Sequence, residues 1–354
     1  MKRLEARFGN ERLARTYCVR GVYQVLYFFA NSEVILDTSA TEEVIKLPIH
    51  FGGRDVQGMF AVCETVRTST GAIVLDGSET AFFDPLGIAV LGALLEPLVG
   101  KRDVRIDWLS VACGSYLERM QVLSACNIQG VVSSSQYSDD LTHTLVELTK
   151  VEHERQVDEA VDRLATALAG KLSADRLEAF KHPLRYVLSE LLLNALSHAK
   201  REGRSGAAVW VACQYYRKNK GVQLAVVDNG CGLLETLRYS RHLPEKTHAA
   251  AIPTALKPFV SCNPDLGLPG GTANRGIGLT TTAKIAQSAR GRLLIVSGDA
   301  GMYSDGRPFR LEGGAKWDGV AISMRCRRAA LPGVNIAQMM PKDENSMVVP
   351  MIFE

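Results

Sequence analysis

The first 132 residues alternate between two hydrophobic patterns, one typical of buried strands and the other of amphipathic helices. Short apolar runs predict the strands, and apolar residues spaced three and four apart predict the helices. In chain order the predicted elements are strand 43–51, helix 56–68, strand 72–75, helix 85–98, strand 104–109 and helix 115–125. Strands that alternate with helices predict an α/β layer structure for this part of the chain.

A polar run at 133–140 interrupts this pattern, because it has too few apolar residues to hold a core element. We interpret it as part of a linker, 133–145. The sequence then predicts a first domain at 1–132, a second domain at 146–330, and a loosely docked tail at 331–354 that is rich in Pro and Met.

The second domain also mixes the two patterns, so we expect an α/β fold here as well. Residues 145–168 have apolar positions at helical spacing, with Val157 and Leu164 on one face. Ser173 is a candidate N-cap for the next helix, and Pro183 predicts that a further helix starts there. The remaining predicted elements are helix 184–200, strands 208–214 and 222–227, a long loop-like region, helix 279–289, and strands 292–297 and 320–324.

Chain length indicates the number of domains, and charge and hydropathy disfavour several classes of protein. The 354 residues suit about two domains. Lys and Arg number 41 against 38 Asp and Glu, and a net charge of +3 predicts neither a nucleic-acid partner nor an anionic membrane surface. The longest apolar stretch, 86–99, contains Glu96 and Pro97 and is too short to span a bilayer, and the charged segment 4–15 predicts no secretory signal. We therefore expect a cytoplasmic protein whose eight scattered cysteines are reduced.

Three polar residues form a stripe along predicted helix 184–200. Glu190, Asn194 and His198 recur at every fourth position, so they lie on one side of the helix. If the stripe is buried, it needs hydrogen-bond partners or a ligand, because burying these groups unpaired costs free energy. The alternative is that the stripe is the solvated face of an amphipathic helix.

A second motif, Asp228-Asn229-Gly230-Cys231-Gly232, follows predicted strand 222–227. Asp-Asn-Gly after a strand is typical of a hairpin turn, since Asn and Gly tolerate a positive φ. The next residues, 233–237, look helical rather than like a returning strand, which weakens the hairpin interpretation.

A third motif, Asn274-Arg275-Gly276-Ile277-Gly278-Leu279, leads into predicted helix 279–289. Glycines ahead of a helix let a phosphate approach the backbone, and the helix N-terminus offers N–H groups and a favourable dipole. The third glycine of a Rossmann motif and the Gly-Lys-Ser/Thr of a P-loop are both missing, so this motif alone is a weak indication.

Together and in this order, the three motifs resemble the N, G1 and G2 boxes of the GHKL superfamily of ATPases, over about residues 146–326. The run 189–199 is most similar to the N box of the anti-sigma-factor serine kinases. The resemblance implies an α+β two-layer sandwich for the second domain, with ATP and Mg²⁺ as cofactors.

The resemblance also implies a role for each motif residue. Asn194 would hold Mg²⁺ and Glu190 would act as the general base, with His198 on the same wall. Asp228 would accept a hydrogen bond from adenine, and Gly230 and Gly232 would leave room for the base. Gly276 and Gly278 would contact the phosphates through their backbone N–H groups. The candidates for a γ-phosphate contact are Arg275, Lys246 and Lys257. Residues 240–275 would form a mobile lid, and Val320 stands where many relatives have Thr.

The first domain resembles the STAS domain of anti-sigma-factor antagonists, through strand 73–76 and the run 82–87 that opens a helix. That family carries a phosphorylatable Ser after the Asp, whereas Pro85 and Leu86 follow Asp84 here. An unrelated α/β domain with Pro at the first helical position is an equal alternative. We therefore expect no phosphate acceptor in this loop.

These resemblances imply a Mg-ATP-binding regulatory protein that acts as a nucleotide-gated protein-interaction switch with slow ATP hydrolysis. The alternative is a protein-serine kinase of the anti-sigma type that phosphorylates a separate STAS-like partner. A histidine kinase is disfavoured, because too few residues separate His153 from Asn194 for a dimerisation hairpin. The implied partner is a regulatory protein, with a sigma factor or a STAS antagonist as candidates. A homodimer stays open, and we expect no membrane and no direct nucleic-acid partner.

Overall fold

The computed structural model describes the backbone of residues 3–8, 12–19, 22–29, 42–126, 129–130, 145–169, 172–199, 207–260 and 276–341. Strands and helices mix in both halves of this part of the chain, so the predicted α/β class is confirmed. The predicted linker lies outside the described residues up to its last position, and so do Arg275 and the tail beyond residue 341.

The first half of the chain builds a mixed sheet with helices on it. Its elements in chain order are β1 (Arg3–Phe8), β2 (Arg12–Val19), β3 (Val22–Phe29), β4 (Glu42–Lys46), β5 (His50–Phe51), α1 (Val56–Thr68), β6 (Ala72–Asp76), β7 (Phe82–Phe83), α2 (Pro85–Leu95), β8 (Val104–Asp107), α3 (Val111–Arg119), α4 (Val122–Ala125) and β9 (Gln129–Gly130). The sheet has the order β1-β2-β3-β4-β6-β8-β9, antiparallel as far as β4 and parallel from β4 to β9. Strands β5 and β7 form a separate parallel pair.

Helix α1 has the bounds that its hydrophobic spacing predicts. The Asp55 side chain caps it by accepting a hydrogen bond of 2.8 Å from the backbone N–H of Gly58. Met59, Phe60 and Val66 recur at helical spacing and are buried in the core of the first half.

Helix α2 is apolar on every side, and all of its residues except Leu94 are buried. A helix of this composition has to be covered all round. One side packs on α1 and the first sheet, and the other packs on strands of a second sheet contributed by the second half of the chain. At Gly92 the approach is so close that an added Cβ would lie 2.8 Å from the Trp210 ring. The two halves therefore share one hydrophobic core.

The second half builds an antiparallel sheet. Its elements in chain order are β10 (Leu145–Val151), α5 (Val157–Ala169), α6 (Ala174–Ala199), β11 (Val209–Tyr216), β12 (Gly221–Asp228), α7 (Gly232–Leu237), α8 (His248–Ala255), α9 (Gly278–Ser288), β13 (Arg292–Gly298), β14 (Ala300–Tyr303), β15 (Pro308–Arg310), β16 (Trp317–Arg327) and α10 (Ile336–Met339). The strand order is β10-β11-β12-β16-β13-β14-β15.

Helices α5, α6 and α9 cover one face of this sheet and form a second core with it, as in Leu164, Leu188, Val211 and Met324. This is the two-layer helix-on-sheet arrangement expected for the second half. The opposite face of the sheet meets α2, so layers of sheet and helix alternate through the molecule.

Two predicted elements of the second half are wrong in detail. Helical spacing does not extend over 145–168, because 145–151 forms strand β10, in which Val146 and Leu148 are buried and Glu147 between them is not. The chain also continues as helix through Pro183 instead of starting a new one there, so α6 has 26 residues. Proline removes one backbone hydrogen bond, but Phe180 and Leu184 on either side are buried in the second core, which favours an unbroken helix.

Two further segments are more ordered than their composition predicts. The loop-like region after β12 contains helices α7 and α8. The beginning of the predicted tail packs into the second core through Leu331 and Ile336, which are 0% and 6% exposed.

Within the described ranges, none of the helices combines the length and the hydropathy that a bilayer span requires. Six cysteines in these ranges are buried free thiols, as expected for small core residues: Cys63, Cys113, Cys126, Cys213, Cys231 and Cys326.

Candidate functional site

The polar stripe on α6 is half-buried rather than solvated. Glu190, Asn194 and His198 are each partly covered, whereas Leu193 between them is 37% exposed and marks the outer side of the helix. The stripe faces α9, which packs on α6. The stripe is therefore not a fully solvated amphipathic face.

The start of α9 lies directly against this stripe. An added Cβ at Gly278 would lie 2.0 Å from Glu190 Oε2 and 3.3 Å from Asn194 Nδ2, so a larger residue there would displace the carboxylate. Gly276 has a φ of +66°, a left-handed conformation that favours glycine, and its carbonyl accepts a hydrogen bond of 2.9 Å from the Phe259 N–H. The first and third motifs thus come together.

Burial shapes the chemistry of Glu190. Desolvation raises the pKa of this carboxyl above its ordinary value, and the nearby Tyr186 hydroxyl opposes the shift. The hydroxyls of Tyr186 and Thr281 lie near this carboxyl, and both, like the Thr282 hydroxyl in the same helix as Thr281, are buried without a partner at hydrogen-bond distance and angle among the described residues. Leaving such groups unpaired costs about 1–3 kcal/mol each, so the cluster favours water or a polar ligand beside Glu190.

The N-terminus of α9 is suited to an anion. Its N-cap residue, Ile277, has an apolar side chain and makes no capping hydrogen bond. The first N–H groups of a helix lack partners within the helix, and the helix dipole favours negative charge there. Glu190 and Asn194 lie beside these groups. A phosphate bound here would therefore need a cation next to it to offset the carboxylate.

Asp228 ends strand β12 and is 3% exposed. Its Oδ1 accepts a hydrogen bond of 2.9 Å from the Gly230 N–H, and its backbone carbonyl accepts one of 3.0 Å from the Trp317 indole. The chain then continues into helix α7, not into a returning strand, so the hairpin interpretation is wrong.

The backbone of strand β16 packs closely against the backbone of this second motif. Gly232 has a φ of +75°, and an added Cβ would lie 2.5 Å from the Asp318 carbonyl. At Gly319 an added Cβ would lie 2.1 Å from the Asp228 carbonyl. Only glycine allows backbone to approach this closely at the two positions.

Ser297 is a site residue that the sequence analysis missed. Its hydroxyl is fully buried, donates to the Gly319 carbonyl at 3.0 Å and accepts from the Leu233 N–H at 3.0 Å. It thus ties β13, β16 and α7 together beside Asp228. The available signal was a polar residue at the end of the apolar strand 292–297, which by itself is common.

The end of α6 connects the first motif to the second. The Cys231 thiol donates to the His198 carbonyl at 3.3 Å. All three motifs therefore meet at one end of the second sheet, where β12 ends and α9 begins. Among the predicted site residues only Arg275 lies outside the described residues.

The described part of the predicted lid, 240–260, is folded. Thr247 caps α8 by accepting from the Ala250 N–H at 3.2 Å, and Ala251 and Val260 form a small core with Leu237. The Thr280 hydroxyl donates to the Leu256 carbonyl at 2.8 Å, which links this segment to the start of α9. The sequence predicted a mobile lid here and did not predict helix α8.

No family of known proteins, no curated protein and no solved structure matches the chain. In the described part of the chain, no group of three or more His, Cys, Asp or Glu side chains could hold a metal ion.

Proposed function

We propose that the second half binds Mg-ATP as a GHKL-type ATPase and that the nucleotide acts as a switch, with slow hydrolysis. The observation that carries the proposal is the meeting of Glu190 and Asn194 with the glycine-led N-terminus of α9, at the same sheet end as buried Asp228. We further propose that the protein acts in the cytoplasm on a regulatory protein partner.

The chemistry of the residues at this site supports nucleotide binding. Asp228 would accept a hydrogen bond from the adenine amino group, and the α9 N-terminus would receive phosphate oxygens. The buried hydroxyls of Thr281 and Tyr186 are polar atoms that a ligand or its waters can satisfy. Mg²⁺ would depend on the Asn194 amide oxygen, on water and on the phosphates, since Mg²⁺ is commonly held by few protein ligands.

Glu190 would orient or deprotonate the attacking water. Burial raises its pKa, which makes the carboxylate a stronger base than an exposed one. The bound nucleotide would supply the phosphoanhydride bond that is cleaved.

Residues of the first half contact residues that lie next to the candidate nucleotide site. Asn229, next to Asp228, accepts from the Ala208 N–H at 3.1 Å and donates to the Ala93 carbonyl of α2 at 3.2 Å. The Trp317 ring, whose indole binds the Asp228 carbonyl, packs on Phe60 of α1 with the ring centres 5.7 Å apart. A shift of Asp228 on nucleotide binding would therefore reach both central helices, which supports a switch.

The first half is a poor substrate for its own second half. The Asp84 carboxylate is buried, and the following Pro85 and Leu86, which carry no hydroxyl, are buried in α2. A kinase activity would need a separate acceptor protein. This supports the switch over self-phosphorylation and leaves the anti-sigma-type kinase as the second candidate.

A thermal-shift measurement tests the proposal. Mg-ATP at about 100 times its Kd should stabilise the full chain by about 2.7 kcal/mol and raise its melting temperature by several degrees. Asp228→Asn should abolish most of the shift, because an amide can present a donor where the amino group needs an acceptor. The exposed Asp103→Asn is the matched control. A folded protein that shows no shift with any adenine nucleotide would overturn the proposal, and transfer of labelled phosphate to a STAS-like protein would favour the kinase.

A further inference from the structure

A cavity of about 900 Å³ lies at the end of the second sheet away from the candidate nucleotide site. The eight residues of β12 separate the two, with Asp228 at one end and Gly221 at the cavity. At about 3.4 Å per residue, this distance is about 24 Å. The first half contributes Arg54, Phe82 and Arg119 to the wall, so the cavity is a cleft between the two halves.

The cavity lining is strongly basic. Among its described residues are nine cationic side chains, Arg54, Arg119, Arg217, Lys218, Arg290, Arg292, Arg307, Arg325 and Arg327, and one carboxylate, Asp305. The whole chain has a net charge of only +3, so the residues outside the cavity are net negative. Folding has concentrated the positive charge in one place, and such a concentration attracts anionic ligands.

Much of this charge is available to a ligand. Arg325 binds Asp84 at 2.5 Å and Arg307 binds Asp305 at 2.6 Å. Arg217, Lys218 and Arg290 are exposed, and no described carboxylate lies within ion-pair distance of them. Like charges held close together without counter-charges repel one another, so an anion in the cleft would relieve this repulsion.

The cations follow an extended strip rather than a compact ring. Strand register places Gln223, Arg325 and Arg292 side by side on three neighbouring strands. Arg217 lies just past the end of β11, in the turn to β12, and Arg307 lies between β14 and β15, so cations occur at this end of the sheet from β11 to β14. Four strand spacings of about 4.8 Å make the strip about 19 Å long, enough for several consecutive phosphates.

We infer that this basic cleft binds the backbone of a single-stranded nucleic acid. Eight of the nine cations are Arg, whose planar guanidinium matches a phosphate with two hydrogen bonds. Three half-buried rings line the same cleft: Phe82 packs on Tyr216 and beneath the Arg54 guanidinium, and Tyr215 lies beneath the Arg328 guanidinium. The ring surface that these contacts leave uncovered is apolar and can meet bases. Its volume suits a few nucleotides of one strand. This inference replaces the expectation, drawn from net charge alone, of no nucleic-acid partner.

Fluorescence anisotropy with labelled single-stranded DNA and RNA tests the inference on the full chain without ATP. The charge-reversal pair Arg217→Glu and Lys218→Glu lies in the exposed β11–β12 turn and should leave the fold intact, as far-UV circular dichroism can verify. We expect at least tenfold weaker binding. The slope of log K against log salt should become shallower by about 1.4, since the pair removes two phosphate contacts and each contributes about 0.7.

A matched control changes the same charge elsewhere. Lys101→Glu with Arg155→Glu alters two exposed cations that do not line the cavity and should change binding less than twofold. Equal loss of affinity in the two double variants would overturn the inference. So would tighter binding of the corresponding duplex, or equal competition by inorganic tripolyphosphate, which lacks bases and length. Preference between the DNA and RNA strands would identify the natural ligand.

Discussion

Replacing Asp84 tests how much its contacts between the first half and the second sheet contribute to the free energy of unfolding. This buried carboxylate caps α2 by accepting from the N–H groups of Leu86 and Gly87 at 2.9 and 3.2 Å. Its other oxygen accepts from the Gly53 N–H at 3.0 Å and from the Arg325 guanidinium at 2.5 Å. One side chain thus joins a loop, a helix start and a strand from the other half of the molecule.

The contacts set the expected cost of each replacement. Asp84→Ala removes the cap, worth about 1 kcal/mol, and leaves the Gly53 N–H and Arg325 without their acceptor, worth about 1–3 kcal/mol more. Arg325 has a side chain 33% exposed and can reach water in the cleft, so we expect a total of about 3 kcal/mol rather than the full cost of a buried unpaired charge. Asp84→Asn keeps the cap oxygen and should cost about 1–2 kcal/mol.

Urea unfolding followed by tryptophan fluorescence is the suitable assay. Trp210 and Trp317, which are 2% and 5% exposed, both lie where the halves meet, so their emission reports the loss of this interface. The exposed Asp103→Asn is the control and should leave the free energy of unfolding unchanged. A cost below about 1 kcal/mol for Asp84→Ala, or no difference between the Ala and Asn variants, would refute the reasoning.

Two further predictions concern the candidate nucleotide site. Glu190→Gln should stabilise the protein at neutral pH, because burial raises the carboxyl pKa in the folded state and so penalises the ionised form. The stabilisation should shrink as the pH falls through this raised pKa and vanish below the ordinary Glu value, and urea unfolding at a series of pH values would check it; a gain that does not vary with pH would contradict the argument. Gly278→Ala should change stability by less than about 0.5 kcal/mol, because the group it displaces is the flexible end of Glu190 and Ala suits a helix. It should nevertheless suppress ATP turnover, unlike Gly333→Ala, where an added Cβ meets no atom within 4 Å; unchanged turnover would show that the Glu190 position does not matter.

Local pattern alone determined much of the secondary structure. Helix α1 has the predicted bounds because its hydrophobic spacing and its Asp55 cap are signals within one segment. Strands β11, β12 and β13 likewise coincide with apolar runs to within two residues at each end. The composition of α2 indicated a buried helix, although not what buries it. The three motifs were visible because each is a short run of residues.

Only the tertiary structure decided which distant residues meet. Asp84 and Arg325 are 241 positions apart, and Asn229 and Ala93 are 136 apart, so no periodicity relates them. Strand β10 and the passage of α6 through Pro183 also depend on partners that the local pattern does not contain. The basic cleft is the clearest case. A net charge of +3 is a sum over the chain, whereas the cleft arises because folding brings nine cations from separate regions of the sequence to one end of a sheet and leaves most of the carboxylates elsewhere.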